Sequence, residues 1–140
     1  MSNYSDLADG LVTVLKNGIT NLHAYNHPVD SFNGFPAAVV LPEAVDPEIA
    51  FGGNSMIVNF RVLVFLSSAD SAEGFRQLYD YIDPTTANKS VIKAVRDAPT
   101  LDGKADSAGV TRIENIGRRQ VGGGFYFGFD ALVEVIKTVA

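Results

Sequence analysis

The sequence predicts an α+β, sandwich-like fold: a four-stranded, mainly antiparallel or mixed sheet with two to three helices on one face, in the order α-β-β-α-α-β-β. Three observations predict it. Met56, Val58, Phe60, Val62, Val64 and Leu66 are apolar at every second position, which is the period of a strand. Leu7, Leu11 and Leu15, and later Phe75, Leu78, Tyr79 and Ile82, recur at helical steps. Two sequence-adjacent strand pairs bracket the central helical stretch, and such neighbours usually pair in space. The chain has 140 residues, 46% hydrophobic and 19% charged, which suits one domain over 1–140 able to offset the entropy of ordering.

Taken in order, the first helix runs from Asp6 to Leu15 with Ser5 as its cap and fades near Gly18. His27-Pro28 enforces extended backbone, and Asp30 to Gly34 is turn chemistry. Phe35 to Leu41 is nearly all apolar and reads as a strand buried on both faces. A long loop, 42–54, follows between the first two strands; Pro42, Pro47, Gly52 and Gly53 mark it, and Glu43, Asp46 and Glu48 charge it.

The alternating strand Met56 to Leu66 has one wholly apolar face, while its second face is polar early (Asn59, Arg61) and apolar later (Leu63, Phe65). Ser67 to Ser71 offers caps for the helix of Phe75 to Ile82, which Asp83-Pro84 ends. Ser90 to Arg96 is a second short helix, stopped by Ala98-Pro99. Val110 to Ile116 is a strand, Gly117 to Gly124 a connection, and Phe125 to Lys137 the last strand. Phe125, Phe127 and Phe129 share a face with Ala131, Val133 and Val135, so core is the better reading than a platform for bases. Tyr126 and Gly128 point the other way, where Gly128 leaves room for another chain to approach.

The absence of cysteine excludes disulfides, thiolate metal sites and cysteine nucleophiles. No apolar run approaches the roughly 20 residues of a membrane helix, and Asp6 and Asp9 precede the first base, Lys16, the wrong order for a secretory signal. A soluble product of the cytoplasm is expected. The net charge of −5 is localised: six acids face Lys16 alone in residues 1–60, whereas residues 61–140 balance. With no cation between Lys16 and Arg61, that segment would repel a polyanion.

Candidate chemistry is sparse. His23 and His27 have the i, i+4 spacing of a zinc pair, but the metalloprotease glutamate is missing and Pro28 disfavours helix, so no metal is expected. Gly117 and Gly122 are spaced as in a phosphate loop, yet Gly123 and Gly124 stand where lysine and serine or threonine belong. There is no G-x-S-x-G elbow and no carboxylate pair at a recognisable catalytic spacing, so neither catalytic residues nor cofactor are assigned, and the expectation is a protein that is not an enzyme. Arg118 and Arg119 form a basic pair suited to an intersubunit ion pair, or less well to nucleic acid. An interface would draw on Ile57, Tyr126 and Leu132, with Glu43, Asp46 and Glu48 facing a partner or channel.

The N-terminal helix before a proline turn, Phe35-Pro36-Ala37-Ala38-Val39-Val40, Val62-Leu63-Val64-Phe65, Phe75 to Tyr81, Ser90 to Val95, Thr100-Leu101-Asp102-Gly103 and Phe127-Gly128-Phe129-Asp130 occur in a telling order. In that order the chain resembles the tail-terminator and head-to-tail connector proteins of long-tailed phages infecting actinobacteria. The resemblance implies a virion protein that forms a ring, usually a hexamer, at the head-proximal end of the tail tube. It implies a tail-tube protein on one face, a head-completion or stopper protein on the other, and DNA passing through the lumen without specific binding. A stopper or tube protein of the same neck region, and more distantly a small-molecule binding domain or enzyme with a pocket between Phe35 to Leu41 and the helices, stay open as alternatives.

Overall fold

A computed structural model of the chain describes residues 3–28, 34–46, 55–68, 72–121 and 124–138. The class is α+β, with three helices and a mixed five-stranded sheet among the described residues. Helices α1 (Tyr4–Gly18), α2 (Ala72–Ile82) and α3 (Val91–Asp97) accompany strands β1 (His23–Tyr25), β2 (Ala37–Asp46), β3 (Ser55–Ser68), β4 (Ser107–Val121) and β5 (Gly124–Thr138). Spatial order is β1-β2-β3-β5-β4; β1 runs parallel to β2 and every other pairing is antiparallel. The α2–α3 crossover therefore carries the chain past the slot that β5 later fills.

The expected four strands become five because β1 went unread. It is three residues long, with His23 exposed and Ala24 and Tyr25 half-buried, so it has no periodicity to detect. Its backbone groups are satisfied by β2, a partner the local sequence does not reveal. His23 lies on this strand, so the two histidines do not share a helix.

The first helix begins earlier than its apolar spacing suggests. Asn3 accepts from the Asp6 N–H at 2.8 Å and its own N–H donates to the Asp6 carboxylate at 3.1 Å, a capping box that displaces Ser5 from the cap. Leu7, Leu11 and Leu15 are buried as expected, joined by Val14. On α2 the buried side is Leu78 and Tyr81 with Ile82 packed beside them, whereas Tyr79 is exposed and Phe75 sits at the margin. Ser90 caps α3 through the Lys93 N–H at 3.1 Å.

All three helices pack on one face of the sheet, and one core joins them to alternate strand residues: Ala38 and Val40, Met56 to Val64, and Phe129 to Val135. Phe60 and Phe129 are fully buried there, each burial stabilising by roughly 2–3 kcal/mol. Phe125 departs from the expected core stripe: it lies at the strand's start beyond the helices and is 46% exposed.

The loop expected over 42–54 starts later, because β2 continues to Asp46. Beyond Val39 the outer side of β2 pairs with no strand among the described residues, since β1 pairs only with Ala37 to Val39, and an edge tolerates the missing proline N–H. A bulge between Pro42 and Ala44 absorbs the irregularity and leaves Glu43 as the extra residue. Asp46 ends the strand, exposed; Glu48 lies outside the described residues. Likewise Gly117 to Val121 belongs to β4, so the expected connection is mostly strand.

At the far end of the β4–β5 pair, Asp106 ties down the last turn of strand: the Thr138 N–H donates to its carboxylate at 2.7 Å, and the Thr138 hydroxyl donates to the same oxygen. The hydroxyl, then the N–H, hold the Asp106 carboxyl below the usual aspartate range. Because the folded value is depressed, its stabilisation is present above the unfolded value of about 3.9 and is lost as pH falls through the folded value. A carboxyl NMR titration is expected to place Asp106 below an ordinary aspartate, with Thr138 amide exchange accelerating as it protonates; an ordinary titration would exclude the tie.

Candidate interaction surface

Among the described residues no helix packs on the second sheet face, although Ala37, Val39 and Phe65 near its Tyr126 end are buried, and the pleat decides what it carries. Leu41, Ile57, Leu63, Leu132 and Ile136 are half-buried on this face, alternating with the core residues behind them. Ile57 and Leu132, both expected at an interface, are thus brought to one surface. Tyr126 joins them at one end but is packed against its own chain, 5.3 Å from the Phe35 ring and 6.1 Å from that of Phe65.

In the middle of the face lies a charged network. Asp130 of β5 is only 2% exposed, and its carboxylate accepts from Arg61 at 2.7 Å, from the Asn115 amide at 2.8 Å and from Arg119. Arg61 of β3 also donates to Glu114 at 2.7 Å and, through Nε, to Glu43 at 2.8 Å. Its guanidinium is held still further above its high ordinary value, first by Glu114 and then by Glu43, so it stays charged at any working pH. Arg112 adds a looser contact to Glu114 at 3.3 Å. Arg61, Arg112 and Arg119 thus balance Glu43, Glu114 and Asp130, satisfying a buried charge that alone would be costly.

Three bulges build this arrangement; the one between Val110 and Arg112 turns Arg112 and Glu114 to the same face as Asp130. The irregularity at Pro42–Ala44 releases Glu43 toward Arg61, and that between Glu114 and Gly117 puts Asn115 in the left-handed region at φ 55°, with its amide on Asp130. Arg61, Glu114, Asn115 and Asp130 were not singled out from the sequence. The available signal was a charge in mid-strand: Arg61 and Asp130 each interrupt an otherwise apolar run.

Arg118 and Arg119 do not act as a pair. Successive strand residues point to opposite faces, so Arg119 reaches Asp130 and stands 5.7 Å over Phe65, whereas Arg118 stacks 4.4 Å over Phe125 on the helix side. Of the acidic candidates, Glu43 is neutralised by Arg61, and Asp46 is exposed on the strand rather than in a loop. Gly128 opens no path for another chain: a Cβ there would lie 2.0 Å from the Val64 carbonyl oxygen of β3, so the close approach is internal.

Among the described residues, no group of three or more metal-ligating side chains converges, and no helix is long and apolar enough to cross a membrane. The sequence matches no family model and no curated protein.

Proposed function

We propose that this chain is a structural protein of a phage virion, a tail terminator that assembles as a ring, usually of six copies, where the tail tube meets the head. The observation that carries the reading is the sheet face on which no helix packs among the described residues: half-buried Leu41, Ile57, Leu63, Leu132 and Ile136 surround a charge-balanced network, a surface suited to burial against a further protein layer. The short sequence phrases that resemble those of tail terminators support the same reading.

The chemistry of the network favours a scaffold over a catalyst. A general base needs a lone pair within reach of a substrate proton, but both Asp130 oxygens are engaged by protein donors and the residue is 2% exposed. The small-molecule alternative has its pocket between Phe35 to Leu41 and the helices; Ala38 and Val40 there are buried in the core, and a cavity of about 360 Å³ lies beside Phe35 and Pro36, lined also by Tyr81, Asn88 and Lys89. In this role one rim of the ring meets the tube protein, the other meets a stopper protein, and exposed acids such as Asp46 keep passing DNA from sticking.

Native mass measurement of the purified chain, with electron microscopy of virions, tests the reading. A closed ring located at the tube's head-proximal end is expected. A stopper or tube protein would occupy another position in the particle, and a strict monomer absent from particles would exclude all three. Mobility shifts at low salt are expected to show no retention of DNA; steeply salt-dependent binding would exclude a non-stick lumen.

A further inference from the structure

Two exposed apolar patches lie at opposite ends of the strands. At one end, α1 and the ends of β2 and β3 enclose a groove of about 390 Å³ lined by Tyr4, Ala8, Asn26, Pro42, Val45 and Phe60. Its mouth is apolar, with Tyr4 and Val45 exposed, and it is flanked by an acid: the Asn26 amide donates to the exposed carboxylate of Asp9. At the other end, exposed Phe125 carries Arg118 stacked over its ring, and Phe127 beside it meets Phe75 edge-on at 5.6 Å. This second patch is an aromatic knob bearing a cation.

The groove and the knob cannot meet within one chain. Val58, which pairs with Val45 at the groove, and Ser68, which pairs with Tyr126 beside the knob, are separated by most of the length of β3, roughly 30 Å at about 3.3 Å per residue. They nevertheless match in kind: an aromatic side chain with a cation suits an apolar groove beside a carboxylate. Patches that differ but complement each other make a heterologous contact, which propagates around a ring in one direction, whereas a two-fold dimer uses one patch on both partners.

We infer that copies of this chain join head to tail, Phe125 and Arg118 of one copy seating in the Tyr4–Val45 groove beside Asp9 of the next. The inference rests on the ring reading and names its repeating contact. The test compares the full-length wild type with a knob variant, Phe125→Asp, and a groove variant, Val45→Asp, by sedimentation velocity, with circular dichroism to verify folding. Both substituted side chains are exposed, and Arg118→Asp serves as a second knob variant should Phe125→Asp fail to fold.

Each variant alone is expected to associate at least about tenfold more weakly than wild type, while an equimolar mixture forms a capped chain of two through the one intact knob and groove. Variants that assemble like wild type would overturn the contact and leave the ring reading standing. Monomeric variants whose mixture forms no pair would overturn the head-to-tail geometry. A wild-type chain that remains monomeric would overturn the ring reading and this contact with it.

Discussion

Gly128→Ala is expected to destabilise the fold by about 3 kcal/mol, lowering the melting temperature by roughly 10 °C. The added Cβ would sit 2.0 Å from the Val64 carbonyl oxygen and 3.1 Å from its carbon, and both obstacles are backbone. A flexible side chain would swing aside, but Val64 is held in the ladder between β3 and β5, the pair at the centre of the sheet. Gly128 itself pairs with Phe65 on one side and Gly117 on the other, and each of those strands carries a bulge beside the pairing. Relief therefore requires prising two central strands apart where their register is already irregular. Gly109→Ala is the control: it is also a β4–β5 ladder position, but a Cβ there meets nothing within 4 Å. That substitution is expected to be neutral or to stabilise by up to about 1 kcal/mol, because it restricts only the unfolded chain. Equal melting temperatures for the two variants would exclude the steric account.

The helices and β3 were legible because their signals are local. Leu7, Leu11 and Leu15 state the period of α1, and the alternation from Met56 states that of β3. The cap was mislocated by two residues although its signal was present, Asn3 followed three positions later by Asp6. Features that depend on a distant partner were not legible. β1 is a strand only because β2 accepts it, and β2 runs through Pro42 where its outer edge pairs with no strand among the described residues. The uncovered face was partly legible, since Ile57 and Leu132 alternate with core residues. Its charged network was not: residues 43, 61, 114, 115, 119 and 130 come from four strands and meet only in a register set by three bulges. Arg118 and Arg119 show the same limit, for adjacency suggested a pair and the strand pleat parted them.

That network supports the second large expectation, a destabilisation of about 2–4 kcal/mol on Asp130→Ala. The carboxylate is 2% exposed and engages Arg61, Asn115 and Arg119, so its removal leaves several donors facing one vacated position. The loss stays at the moderate end of that range because Arg61 and Arg119 are 26% and 22% exposed and reach water, and Arg61 retains Glu43 and Glu114. Arg119→Ala should cost less than Asp130→Ala, since two donors to Asp130 remain. The double variant should cost less than the sum of the two by about 1–2 kcal/mol, the coupling expected of contacting charges. Urea denaturation of the four proteins measures it, and additivity within about 0.5 kcal/mol would exclude the contact. The network's larger effect is on register. Sliding β5 by one residue against β3 would turn Asp130 into the apolar core and bring Phe129 to the open face, so the charged partners penalise the slip more than apolar neighbours would. The penalty keeps Ile57, Leu63 and Leu132 at fixed positions around one neutralised charge cluster.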